Sequence, residues 1–273
     1  MNNIPQVEII ADSISSETPR LTTFKLVYWR PILAEMNTHR VFSRNASSSR
    51  AMHFDDLAKQ VILDPWMPKH WASEQKGMVA GEEFDEETKA YINEKIDKLG
   101  TGVVRALLDL NEEVFNKTGS KIHKEFINRY LEPFRPVTQL VSATDWDNFF
   151  KLRTAPDAQP EIRDLAIAMQ EAYLAHKPEV ISDYGWHLPF LTEEEKKKYN
   201  LSTQRKISVA RCARVSYNVI KDQTDLDRDI ALHDRLLKNG HLSPFEHLAT
   251  PMYTVALVRN FRRWNQYRAI LGD

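Results

Sequence analysis

The segment Thr38-His39-Arg40-Val41-Phe42-Ser43-Arg44-Asn45-Ala46-Ser47-Ser48-Ser49-Arg50 packs three arginines, a histidine and four serines into thirteen residues. Guanidinium forks and hydroxyls are the donors that a phosphate ester takes, and arginines this close repel one another unless an anion joins them. The residues alone leave two readings open: a polar helix end with solvated arginines, or an anion site. A second group runs Asn148-Phe149-Phe150-Lys151-Leu152-Arg153, followed by Asp157-Ala158-Gln159-Pro160-Glu161-Ile162-Arg163. Phe149, Phe150 and Leu152 can anchor a helix from whose end Arg153 projects; the plain alternative is an amphipathic helix with surface arginines. A third group joins Ala213-Arg214-Val215-Ser216-Tyr217 to Gly240-His241-Leu242-Ser243-Pro244-Phe245-Glu246-His247. Its histidines and glutamate suggest a metal, but Pro244 prevents regular helical i, i+4 placement, and no HExxH pattern or cysteine pair accompanies them. No metal site is expected, and a turn offering imidazole and hydroxyl donors to a ligand is the reading kept.

The composition narrows the ligand. Lys plus Arg total 37 against 38 Asp plus Glu, a net charge of -1. A duplex-binding protein carries a basic excess, so DNA is not an expected partner, whereas one local anion remains open. Only 8 glycines occur in 273 residues. Gly100-Thr101-Gly102 has Arg105 where a dinucleotide fingerprint needs its third glycine, and no phosphate-loop pattern exists. A dinucleotide would have to be held by side chains and helix ends. The single cysteine, Cys212, excludes an intrachain disulfide and lies in an apolar helical stretch, so it is read as core. No apolar run approaches a membrane span, and the opening Met1-Asn2-Asn3-Ile4-Pro5 does not look like a signal peptide.

The elements that must position these residues follow from periodicity. Residues 7–11, 22–28 and 137–143 read as strands, and 252–258 as a final one. Pro31 opens an apolar helical pattern running toward Phe42. Helices are expected over 51–63, 85–117, 123–131 (stopped by Pro133), 146–153 (capped by Thr144 or Asp145), 159–176, 204–215 and 226–237, with Gly240 just past the last. The charged run 193–198 reads as a solvated face. Trp66, Met67 and Trp71, in the loop over 65–81, are either a lid or packing. No Gly/Ser linker divides the chain, so a single α+β domain over 1–273, with a mixed or antiparallel sheet and many helices, is expected.

Together the three groups resemble the flavin-dependent thymidylate synthase family. His39-Arg40, Ser43, Asn45, Ser48 and Arg50 fall at the spacings of that family's Arg-His-Arg, Ser, Asn-Glu, Ser-x-Arg signature. Asn148–Arg153 with 158–163 matches its Asn-Phe-x-x-Leu-Arg…Ala-Gln-x-Glu-Ile-Arg element. Residues 213–216 with 240–247 match its Ala-Arg-Val-Ser…Gly-His-x-Ser/Thr-Pro-Phe-Glu-His element. Three departures stand out. The last element usually comes first; Thr38 and Ala46 replace an arginine and a glutamate of the signature; and Arg263-Trp264-Asn265-Gln266-Tyr267-Arg268 looks like a degenerate second copy of it. Circular permutation and partial duplication both remain open.

The resemblance implies a homotetramer with active sites shared between subunits, located in the cytoplasm of a bacterial or phage-infected cell. It implies FAD as cofactor, NADPH and methylenetetrahydrofolate as co-substrates, and a pyrimidine deoxynucleotide as substrate. Ser48, Ser49, Arg50 and Arg129 would hold the nucleotide, and Arg153 would contact the pyrimidine and stabilise charge on it, making it the catalytic residue. His39, Arg40, Asn45, Asn148, His241 and Ser243 would line the flavin. The implied reaction converts dUMP to dTMP. Methylation or hydroxymethylation of dUMP or dCMP, and a nucleotide-binding protein without catalysis, are the alternatives.

Overall fold

A computed structural model describes residues 4–217, 225–252 and 257–272. In chain order the elements are β1 (Gln6–Ile14), β2 (Leu21–Trp29), α1 (Leu33–Asn37), β3 (Ser43–Ala46), α2 (Phe54–Leu63), α3 (Glu86–Thr118), α4 (Lys124–Ile127), β4 (Pro136–Ala143), α5 (Asp147–Arg153) and α6 (Pro160–Ala175). Then come β5 (Glu179–Val180), α7 (Glu193–Lys198), α8 (Leu201–Tyr217), α9 (Leu226–Lys238), β6 (Ala249–Pro251), β7 (Leu257–Val258), β8 (Phe261–Arg262), β9 (Trp264–Gln266) and α10 (Tyr267–Leu271). The main sheet has the order β3-β4-β2-β1-β5, antiparallel except for the β1–β5 pair, so it is mixed.

Side chains alternate across a strand, and the two faces of this sheet carry different chemistry. Phe24, Leu26, Tyr28, Val137 and Val141 point to one face, where Phe42, Trp146, Phe149, Phe150 and the Ile162, Leu165 and Met169 stripe of α6 cover them. The opposite face receives α8 and the C-terminal segments, and its centre is polar. There a chain of hydrogen bonds runs Ser13 Oγ–His187 Nδ1 (2.9 Å), His187 Nε2–Thr23 Oγ1 (2.7 Å), Thr23 Oγ1–Ser142 Oγ (2.6 Å) and Ser142 Oγ–His247 Nδ1 (2.8 Å). Both imidazoles are fully buried, and burial pushes each down to about 3, which keeps them neutral. Hydroxyls and neutral imidazoles bond one another without a buried charge, and only His247 Nε2 is left without a partner among the described residues of this chain of bonds.

Several elements depart from the sequence expectation. The helix expected from Pro31 toward Phe42 is a 3-10 turn (Arg30–Ile32) plus the five-residue α1. The chain then turns and pairs as β3 with β4, because burying Phe42 and forming ladder bonds outweigh a longer polar helix. The helix expected over 123–131 is α4 followed by a 3-10 helix, Asn128–Phe134, that includes Pro133. Neither Thr144 nor Asp145 caps α5, whose N-cap is Trp146. Thr144 Oγ1 donates to Asp145 Oδ2 and accepts from Arg262 N, and Asp145 pairs with Arg262, so a tertiary contact has taken the capping groups. Of the strand expected over 252–258, Leu257–Val258 is a strand and 253–256 lie outside the described residues. The run 193–198 is not wholly solvated, since Glu195 accepts from Arg211 Nη1 at 2.8 Å. Gly240 takes φ +69 just past α9, as expected.

Gly100 is a packing glycine inside α3: a Cβ there would lie 3.1 Å from Phe134 Cδ1. Gly100→Val is therefore expected to destabilise the fold by about 1–3 kcal/mol in urea unfolding. Gly102→Ala, where an added Cβ meets nothing within 4 Å, should be neutral or stabilising. Trp66 packs too, being 8% exposed with its backbone N–H on Phe134 O. Among the described residues no helix is long and apolar enough to cross a membrane.

Candidate functional site

The first and third sequence groups meet at one place. β3 lies at the sheet edge beside the last turn of α8, and Asn45 stitches the two together. Its Nδ2 donates to Cys212 O (2.8 Å) and its Oδ1 accepts from Ser216 Oγ (2.6 Å), while Ser48 N donates to Ser216 O (3.0 Å). Both ends of the Asn45 amide are thus committed to protein atoms. The cleft opening above this seam has a volume of about 550 Å3. Ser48, Arg50, Lys124, Ser216, His241 and Ser243 supply its polar lining; Ala46, Ala213, Leu236 and Pro244 supply an apolar floor. Among the described residues the lining contains two cations and no carboxylate. Arg50 is exposed and donates to Glu125 Oε1 at 3.2 Å across the rim. His241 and His247 have parted, the first exposed at the cleft and the second buried on Ser142.

The second group assembles elsewhere. Phe149 and Phe150 are buried against the apolar face of the sheet, and this anchorage fixes Arg153 at the end of α5. Arg153 Nε donates to His39 Nε2 (3.0 Å) and Nη2 to Thr38 Oγ1 (3.1 Å). His39 must accept there, so its ring proton sits on Nδ1. Burial, then Arg153, then Arg44 push the His39 imidazole down to about 4, so it is neutral at pH 7. Its ring stacks on Phe42 and meets Phe149 edge-on. Asn148 and Arg40 are exposed.

Neither Arg153 nor His39 is among the residues that line the Ser48–Arg50 cleft. Two expected nucleotide residues point away from the cleft. Ser49 is buried, and its Oγ donates to Glu132 Oε1 (2.5 Å), which Arg30 also engages. Arg129 lines a separate depression with Arg30, Asn37 and Glu132. Lys124 joined the cleft without any sequence signal, being a lone lysine in a charged stretch. Cys212 is fully buried and its thiol is pushed far up, so it is no thiolate nucleophile.

Residues 21–179, more than half of the chain, match the profile of the family described as thymidylate synthase complementing protein. The chain belongs to this family. The stretch matched holds the first two sequence groups, and the third lies beyond it, in the part of this family member that closes the cleft over β3. A flavin-dependent thymidylate synthase of Thermotoga neapolitana is 36% identical over 63 residues, 23% of this chain and 28% of that relative. The match therefore spans little more than a quarter of that relative's length. Among solved structures, a UMP/dUMP methylase, PolB, from Streptomyces cacaoi bound with 5-Br UMP has 15% identity and a TM-score of 0.45, covering 63% of this chain and 89% of its own. The flavin-dependent thymidylate synthase ThyX of Helicobacter pylori, complexed with FAD and dUMP, has 20% identity and a TM-score of 0.36, covering 56% of this chain and 67% of its own.

Proposed function

We propose that this chain is an enzyme that transfers a one-carbon unit from methylenetetrahydrofolate to C5 of dUMP, giving dTMP, with FAD as cofactor and NADPH as reductant. The observation that carries the reading is the cleft itself: family-signature residues from two distant parts of the chain, Ser48 and Arg50 with Ser216, His241 and Ser243, line one pocket with no carboxylate among its described lining residues. Its donors and apolar floor fit a phosphorylated ligand with a flat ring. The same donor set is compatible with part of FAD, through His241 and Ser243.

Bound FAD, once reduced, would supply the hydride that turns the transferred methylene into a methyl. The chain's own residues do the rest. Ser48 and Arg50 hold the nucleotide phosphate. Arg153 faces the pyrimidine and stabilises negative charge that develops on the ring as C5 becomes nucleophilic, so no cysteine is needed. His39, held neutral, keeps the Arg153 fork oriented, and Arg40, Asn148, His241 and Ser243 contact the flavin. Because Arg153 does not line the cleft that holds Arg50, a complete site draws on more than one copy of the chain, in keeping with a homotetramer. Arg129, on its own depression, would reach a neighbouring copy's nucleotide.

A second reading changes the product. Thr38 stands where the signature has an arginine and already accepts from Arg153, and Ala46 stands where it has a glutamate and lines the cleft. Both changes bear on the ligand's surroundings, and on this second reading the substrate is dCMP or the product a hydroxymethyl nucleotide. The test is spectroscopic first: the purified protein is expected to be yellow and to bleach with NADPH. A colourless protein that takes up no added FAD would contradict the enzyme reading and leave a nucleotide-binding protein.

A further inference from the structure

The cleft has two chemically different ends. β3 and the turn after it form one wall, so position along the chain is position along the cleft. At the start of that wall, Ser243 Oγ donates to Arg44 O (3.5 Å), and His241 and Pro244 lie beside it. At the far end stand Arg50 and Lys124. The extended stretch from Arg44 to Ser48 alone spans about 13 Å, so the two ends are a nucleotide's length apart.

The two cations at the far end are held differently. Arg50 is engaged by Glu125 in an exposed pair, 63% and 42% accessible, which solvent screens and an arriving anion can displace. Lys124 is half-buried and makes no ion pair with any described residue. Its four-residue helix packs on the turn that carries Arg50, so both side chains line the same cleft. Two cations sharing one rim repel unless an anion lies between them.

Resting on the nucleotide reading above, we infer that Lys124 is a ligand of the substrate's 5′-phosphate, clamping it against Arg50 and Ser48, with the pyrimidine directed toward the end of the cleft where His241 and Ser243 hold the flavin. The ammonium supplies a point charge with three donors and demands no fixed geometry, so it complements the planar fork of Arg50. Glu125 occupies Arg50 until the phosphate replaces it. The site thereby selects a nucleoside 5′-monophosphate over the free nucleoside.

Calorimetric titration of the full-length protein with dUMP and with deoxyuridine tests this. Lys124→Ala is expected to weaken dUMP about tenfold or more, the loss of one charge-assisted contact, and to leave deoxyuridine unchanged. Lys124→Arg should recover most of the dUMP affinity, and Glu125→Gln should tighten dUMP severalfold while sparing deoxyuridine. Unchanged dUMP affinity in Lys124→Ala, or an equal loss for both ligands, would overturn the assignment. A wild-type protein that binds neither ligand would overturn the nucleotide reading and this inference together; one that binds dUMP without regard to Lys124 overturns the inference alone.

Discussion

Arg153→Ala should lower turnover by at least about a hundredfold while leaving the fold and the bound flavin in place, an effect of the size seen when a preorganised donor to developing charge is removed. Arg153 ends α5 and is aimed by Phe149 and Phe150, which remain buried in the variant. Two of its donors hold His39 Nε2 and Thr38 Oγ1, and the rest of the fork is available to a ligand. Arg153→Lys should recover little, since an ammonium cannot hold His39 and a pyrimidine oxygen in one plane. Turnover measured beside the flavin absorbance and a thermal melt separates loss of chemistry from loss of structure. Full activity in Arg153→Ala would remove this residue from the reaction.

A comparably large effect is expected on stability in acid. His187 and His247 are fully buried, bonded to hydroxyls, and pushed down to about 3 from an ordinary 6.5. The unfolded chain therefore binds two protons that the folded chain refuses. Their stabilising contribution is complete above pH 6.5 and is lost as the pH falls toward 3, with a slope approaching about 2.7 kcal/mol per pH unit for the two together. His70 works in the opposite sense. It sits between Glu83 (2.8 Å) and Asp164 (3.1 Å), which outweigh its burial and raise its value, so its contribution is present below pH 6.5 and fades as pH rises through the raised value. Urea unfolding at stepped pH measures the net slope, and His247→Asn should reduce it by about one proton. Stability that stays flat from pH 6.5 to 4.5 would contradict the neutral, buried hydroxyl–imidazole chain.

What was legible in the sequence is what short-range physics fixes. β1, β2 and β4 announce themselves by β-branched and aromatic runs, and α3, α6, α8 and α9 by apolar spacing, because each signal is contained in the element itself. β3 was illegible: Ser-Arg-Asn-Ala has no strand composition and becomes a strand because β4, some ninety residues on, offers an open edge. The cap of α5 is illegible for a similar reason, since Arg262, which takes Asp145, lies far away in the chain. At the candidate site, the residue types of the three groups pointed to anion chemistry, and the family signature ordered them. That Asn45 would join β3 to α8, and that Ser49 would turn inward to Glu132 while Ser48 stayed at the cleft, depends on register and direction, which spacing does not encode. Lys124 and the pairing of His187 with His247 through the sheet carry no local signature at all.

The most direct measurement is the mass of the nucleotide recovered after incubating the flavin-loaded protein with dUMP, or in parallel with dCMP, together with methylenetetrahydrofolate and NADPH. One added CH2, lost in the Arg153→Ala variant, is the expected result. An added CH2O, or reaction with dCMP alone, would instead assign the changes at Thr38 and Ala46 to product choice. Unaltered dUMP and dCMP from a yellow, folded protein would contradict one-carbon transfer at this cleft.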